Sequence, residues 1–231
     1  MEIIPVIDLQ AGQVVRAQMG ERHLYRPIVT KLAATSEPRD VVAGFLSLHP
    51  FRTIYIADLD AIERQGSHEA CLRALQSTFQ DVTFWVDPGI RHMEEASAWL
   101  AANRGDLVIG SESLEDGDSL SILRADSRII LSLDFRGDAF QGSNLLIENE
   151  TLWPERLIVM TLARVGSQAG PDFTRLETIL ERAGKHKPYA AGGLRGGMDL
   201  ERLRQLGVAG VLVASALHDG RLCSADLRSP E

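Results

Sequence analysis

The sequence predicts an α/β protein, a single (β/α)8 barrel of the TIM type that occupies residues 1–231 and is built as a two-fold repeat of half-barrels. Three observations predict it. Short runs rich in Val and Ile recur along the chain with amphipathic segments between them, the mark of repeated βα units around a parallel sheet. A length of 231 residues suits one such barrel. Residues at strand ends also recur at one spacing: Gly89 and Gly193, Arg91 and Arg195, and Ser111 and Ser215 are each 104 residues apart.

Eight runs read as strands, in order Ile3 to Ile7, Ile54 to Ala57, Thr83 to Val86, Leu107 to Ile109, Ile129 to Leu133, Leu157 to Met160, Tyr189 to Ala191 and Val211 to Val213. Each is apolar on both faces, as strands sandwiched between a barrel interior and outer helices must be. The first is followed by a polar excursion, GERHLYRPIVTKLAATSEP, placed to be a mobile loop over the site. Helical patterns follow in DVVAGFLSL from Asp40, EEASAWLAA from Glu94, FTRLETILERAG from Phe173 and MDLERLRQLG from Met198, with Gly184 and Gly207 where helices would end. After strand five, GDAFQGSNLLIENETLWPE is polar and glycine-containing, so the fifth helix is expected to be short or replaced by a loop. Strands one and five align as IPVIDLQAG over ILSLDFRGD, pairing Asp8 with Asp134.

Composition narrows the partners. A net charge of −8 argues against a nucleic-acid backbone, which requires a basic face, while leaving room for a local cationic pocket. Cys71 and Cys223 form no disulfide framework or zinc pattern. The opening MEIIPVIDLQAG reads as a first strand rather than a signal peptide, and no run approaches the roughly 18 apolar residues needed to span a bilayer. The expectation is a soluble cytoplasmic protein, a monomer or small homo-oligomer, without a membrane or nucleic-acid partner and acting on a small phosphorylated molecule.

Asp8 and Asp134 each end an apolar strand, where a carboxylate is costly to bury unless it faces the open C-terminal mouth of the barrel. Opposed across a partly dry pocket, two such groups can serve as general base and general acid. Either could cap a turn, but the matched positions, each followed by a glycine-containing turn (Gly12, Gly137), favour function. Gly89 with Ser111, and Gly192 and Gly193 with Ser215, predict two symmetry-related phosphate cups in which backbone N–H groups approach an anion. Arg16 is a candidate phosphate partner, while Arg91 and Arg195 read equally as helix-start or surface residues. Asp58 and Asp60 lack the further ligands a metal would need, so Asp58 is assigned to substrate hydroxyls or a structural hydrogen bond, and no metal is expected. Thr161, opposite Asp58 in the half-barrel register, is a candidate to hold substrate or Asp134. None of the six histidines lies in a Ser or Cys nucleophile motif.

The segments IPVIDLQAGQVVR, YIADLDAI, DPGIR, VIGSESL, LSLDFRGD, VGSQAGPD, AAGGLRG and VASALHDG together resemble the histidine-biosynthesis barrel enzymes over nearly the whole chain, with the isomerases nearer than the sister cyclases. The resemblance implies Asp8 and Asp134 as general base and acid of an Amadori rearrangement of a doubly phosphorylated ribotide, without a cofactor, and Thr161 as the strand-six threonine. It places phosphate-binding positions on Gly89, Ser111, Gly192, Gly193 and Ser215. The sequence departs from the family at Asp87-Pro88-Gly89, at Val165-Gly166-Ser167, where Ser167 is assigned to substrate and a carboxylate is lost, and at Ala214-Ser215. Such changes can retune a pocket, so a different phosphosugar or aminosugar phosphate, or a cyclase-like lyase reaction, is the alternative.

Overall fold

A computed structural model of the chain describes residues 1–115, 117 and 120–228. Eight parallel strands form the barrel: β1 (Glu2–Gln10), β2 (Thr53–Asp58), β3 (Thr83–Asp87), β4 (Asp106–Gly110), β5 (Ile129–Arg136), β6 (Arg156–Thr161), β7 (Lys187–Ala191) and β8 (Gly210–Val213). Each pairs with the next, and β8 closes onto β1 in the register Glu2↔Gly210 to Pro5↔Val213, so the sheet has no open edge. All eight expected runs lie within these strands. Every residue of β2 is buried, as a strand covered on both faces should be.

Alternation sorts the side chains. One set, including Ile4, Tyr55, Trp85, Val108, Ile130, Ile158, Tyr189 and Leu212, points inward and packs as the barrel interior. The Trp85 and Tyr189 rings meet edge to face at 4.9 Å. The other set, including Ile7, Ile54, Ile56, Val86, Ile109, Leu131 and Leu133, packs outward against the helices. Because the interior is filled below, the open space lies at the strands' C-terminal ends.

The outer helices include α1 (Pro38–Leu48), α2 (Glu69–Thr78), α3 (Met93–Ala101), α4 (Leu120–Leu123), α5 (Asn144–Glu148), α6 (Phe173–Ala183) and α7 (Gly197–Leu206). The helix after β5 is short, as expected, yet its segment is anchored rather than loose. Leu146 and Trp153 are buried, and the Trp153 indole N–H donates to the Leu146 carbonyl at 2.6 Å. Gly184 and Gly207 terminate α6 and α7, the latter in the left-handed conformation at φ 87°. Among the described residues, no helix is long and apolar enough to cross a membrane.

The half-barrel repeat has a structural signature. The Arg91 N–H donates to Glu95 at 2.8 Å, and the Arg195 N–H donates to Asp199 at 2.9 Å, so in each half an acid four residues on fastens the start of the helix. Arg91 and Arg195 are thus helix-start residues. Equally symmetric, β1 and β5 each fold back into an antiparallel arm, Gln13–Arg16 and Ala139–Gln141, which sets Asp8 opposite Val15 and Asp134 opposite Gln141.

Candidate active site

The mouth at the C-terminal ends of the strands encloses a cavity of about 110 Å³. Asp8 and Asp134 both line it, in the inward phase of β1 and β5. Their surroundings differ. Asp134 accepts from the Ser132 hydroxyl at 2.6 Å, the Ser111 hydroxyl at 3.3 Å and the Glu112 N–H at 3.2 Å, while its own N–H donates to Ser111 Oγ at 2.9 Å. The Asp8 carboxyl makes no hydrogen bond to a described residue, leaving its oxygens free for a ligand. Burial raises both from the usual carboxylate range to about 7, Arg22 working against the rise at Asp8 and the Ser132 hydroxyl against it at Asp134.

A third carboxyl joins them. Asp87 ends β3 in the inward phase, two residues after Trp85, and burial raises it too to about 7. One of its oxygens accepts the Gly89 N–H at 2.9 Å. The other converges with Asp134 over Gly110: a Cβ on Gly110 would lie 3.2 Å from Asp87 Oδ2 and 3.3 Å from Asp134 Oδ2. Glycine at the end of β4 makes room for this approach. Glu112, just beyond, also lines the mouth.

The excursion after β1 is packed down over the mouth rather than standing away from it. Its Met19 N–H donates to the Val165 carbonyl at 2.8 Å, and Tyr25 is buried. Arg22 reaches across to Glu112 at 2.7 Å and lies 3.8 Å from Glu63. Ala17, Gly20, Arg22 and Tyr25 therefore form a strap that lines the cavity from above.

On the opposite side, Gly192, Gly193 and Ser215, the positions read in the sequence as an anion cup after strands seven and eight, line the mouth together with Gly166 and Arg221. Gly193 has φ 85°, and a Cβ there would sit 2.4 Å from the Gly170 carbonyl oxygen, so the turn itself demands glycine. Arg221 is held by the Arg195 carbonyl at 2.9 Å and Asp219 at 3.2 Å, with its Nε buried and unpaired.

The first of the two expected cups is not open. Gly89 packs against Ile62, where a Cβ would lie 2.5 Å from the Ile62 Cα, and Ser111 is fully buried against Asp134; neither lines the mouth. Arg16 is directed to Asp219 at 2.8 Å, and Ser167 folds back to the Arg164 carbonyl at 2.8 Å. Thr161 is buried, and it is the preceding Met160 that lines the cavity. Asp58, one residue out of phase with inward Ala57, caps the turn after β2 by accepting the Ala61 N–H, and also holds the His68 ring at 2.7 Å. The other His68 nitrogen accepts the Gly12 N–H at 2.8 Å, and Asp60 accepts the Ala11 N–H at 3.1 Å. The Asp58–Asp60 pair thus clamps the turn after β1 through His68, which is the structural hydrogen bonding of its two sequence readings.

Sequence reasoning passed over Asp87, Glu112, Tyr55, Arg22 and Arg221 as site residues. For Asp87 and Tyr55 the alternation of β3 and β2 carried the signal: Trp85 and Asp87, like Tyr55 and Ala57, share one phase. For Arg22, Glu112 and Arg221, placed on loops, no periodicity exists to read.

Comparison with known proteins agrees with this architecture. The family model described as histidine biosynthesis protein matches residues 2–223. An uncharacterized protein of Methanocaldococcus jannaschii is 30% identical over 228 residues, covering 96% of this chain and 95% of that protein. Two proteins named 1-(5-phosphoribosyl)-5-((5-phosphoribosylamino)methylideneamino)imidazole-4-carboxamide isomerase are also similar. The one from Myxococcus xanthus is 26% identical over 96% of this chain and 95% of its own length, and the one from Cutibacterium acnes 28% over 95% and 88%. With a barrel closed strand by strand, aspartates at the ends of β1 and β5 and a family match over almost its full length, the chain belongs to the histidine biosynthesis protein family.

Proposed function

We propose that the protein is an aldose–ketose isomerase that carries out an Amadori-type rearrangement of a phosphorylated aminoaldose, using Asp8 and Asp134 and no cofactor. The observation that carries this is the presence of two inward carboxyls, each poised near pH 7, in one mouth beside a glycine-lined anion cup. The names of the Myxococcus and Cutibacterium relatives support the same reaction class.

The roles follow from the surroundings. Asp134 is assigned as the acid: burial first, and the charges of Glu112 and Asp87 after it, favour its protonated form against the opposing pull of the Ser132 hydroxyl, leaving a proton to deliver to the sugar ring oxygen. Ring opening leaves a C1=N bond. Asp8, whose oxygens are unengaged, takes the proton from C2, and the electron pair moves to form the C1–C2 double bond of an enaminol. Reprotonation at C1 with loss of the hydroxyl proton gives the C2 ketone. The phosphate sits in the cup of Gly192, Gly193 and Ser215, holding C1 and C2 between the two carboxyls.

The test is turnover of the aminoaldose ribotide by the purified protein, together with growth of an isomerase-deficient histidine auxotroph that carries its gene. Turnover is expected to fall by at least about 100-fold in Asp8→Asn and in Asp134→Asn. Absence of turnover together with failure to support growth would reject the reading.

A further inference from the structure

We propose that the Tyr55 hydroxyl is a further catalytic group of the mouth, donating a hydrogen bond to the oxygen on C2 of the substrate, the atom that enters as a hydroxyl and leaves as the ketone. This rests on the isomerase reading of the mouth and adds a residue to it.

The place of the ring follows from register. β2 lies between β1 and β3, with Tyr55 beside Val6 and Trp85, and with Ala57 beside Asp8 and Asp87. Tyr55 and Ala57 share the inward phase, two residues apart along the strand. The row that carries the carboxyls therefore runs Asp8, Ala57, Asp87, and its middle member is only a methyl. That leaves headroom for the larger side chain one layer down, and Tyr55 lines the mouth where Ala57 does not. The charges of Asp87, Asp134, Asp8 and Glu112 all act on its hydroxyl, which thus stands within reach of both working carboxyls.

The three tyrosines of the chain differ in how their hydroxyls are held. Tyr189 donates to Glu2 at 3.4 Å near the N-terminal ends of the strands, and Tyr25 of the strap is engaged by the Gln18 backbone. Tyr55 is 5% exposed, yet its hydroxyl bonds to no described residue and is not sealed off by protein, so it opens on the cavity that it lines. A buried polar group of this kind is satisfied by what enters the site. Burial and the surrounding carboxyls hold the phenol protonated well above its ordinary range, so it serves as an O–H donor and not as a base.

The reaction has one oxygen that calls for such a donor. The ring oxygen takes its proton from Asp134 and the C2 hydrogen goes to Asp8, which leaves the C2 oxygen as the reacting atom without a donor. Asp8 then returns its proton to C1, the C1–C2 double-bond pair forming the new C–H bond. At the same time the O–H pair closes the C2 carbonyl and the hydroxyl proton passes to the Asp134 carboxylate, which restores both aspartates. Negative charge gathers on the C2 oxygen as its proton leaves, and a fixed donor in a dry site favours that transition state.

Tyr55→Phe removes only the oxygen and keeps the ring in the barrel interior. Its kcat on the aminoaldose ribotide is expected to fall at least about tenfold. Its melting temperature is expected to stay level or rise, because no bond within the protein is lost. Calorimetric titration of the full chain with ribose 5-phosphate and 2-deoxyribose 5-phosphate reads the same contact without turnover. The parent is expected to bind the ribose ester at least about tenfold more tightly, and Tyr55→Phe to bring the two within about threefold of each other. The inference is overturned if the variant turns over the ribotide at the parent rate, if its preference for the C2 hydroxyl matches the parent's, or if neither pentose phosphate binds. It is also overturned if the melting temperature falls by more than about 4 °C, as loss of a structural bond requires. The two claims separate on the same samples. Turnover with a preference indifferent to Tyr55 rejects the role of the hydroxyl alone, and a preference that depends on Tyr55 without turnover rejects the isomerase reading alone.

Discussion

Asp87 shows how one side chain ties stability to function. Its carboxyl is raised to about 7 by burial, against an unfolded value near 3.8, so between these values the folded protein keeps a proton that the unfolded chain has released. Stability from this group is therefore present at low pH and lost as pH rises from about 4 to about 7. Asp87→Asn keeps an acceptor for the Gly89 N–H and removes the titration. Urea unfolding at pH 5 and pH 8 is expected to show that the variant loses about 1–2 kcal/mol less than the parent over this interval. Identical losses would count against the buried, raised carboxyl. In the proposed reaction Asp8 must be ionised and Asp134 protonated, and burial raises both to about 7, so kcat/KM is expected to follow a narrow bell centred close to neutrality. In Asp134→Asn the residual rate should lose its alkaline limb. Gly110→Ala, which puts a methyl within 3.3 Å of both oxygens, is expected to lower kcat at least about tenfold by forcing the carboxyls apart, as single-turnover kinetics would show.

Among elements, the strap after β1 and the turn beneath it divide the labour. The turn is fixed by the Asp58, Asp60 and His68 clamp, which joins β1 to the start of α2. Removing its centre in His68→Ala leaves the buried Asp58 carboxyl without its ring partner, an expected loss of about 1–3 kcal/mol in urea unfolding. The strap depends on a different bond. Arg22 and Glu112 are 29% and 27% exposed, so their ion pair contributes little to global stability, and Arg22→Ala is expected to shift unfolding by less than about 1 kcal/mol. Its effect belongs to the mouth: KM should rise, and proteolysis between residues 17 and 30 should quicken, while the melting temperature scarcely moves. A large fall in melting temperature would instead make the strap a structural element.

For the molecule as a whole, what the sequence discloses depends on whether a residue obeys a period. Doubly buried strands such as Thr53–Asp58 betray themselves as apolar runs, and the spacing of Gly89 and Gly193 reveals the repeat, so the barrel and its two arm-bearing strands were legible. The arm Gln13–Arg16 is only four residues long, too short for alternation to register, and pairing with it is what carries β1 on to Gln10. Asp8 and Asp134 were legible as residues of the mouth because symmetry doubled the signal. Asp58 and Asp87 look alike in sequence, both ending strands, yet one residue of phase sends Asp58 to the clamp and Asp87 to the mouth. The cup after β3 and β4 was read from glycine and serine alone, but whether such a turn stays open depends on the neighbours that pack into it, here Ile62 and Asp134.

The ion pair that fastens the strap has one more effect, on how the protein responds to its medium. Added salt weakens the attraction between Arg22 and Glu112, hastening entry and exit, and on the proposed reading it also weakens the grip of the β7–β8 turns on a phosphate. Raising ionic strength therefore pulls on throughput from two sides: where release of product limits the rate, saturated turnover speeds up even as half-saturation moves to higher substrate concentration.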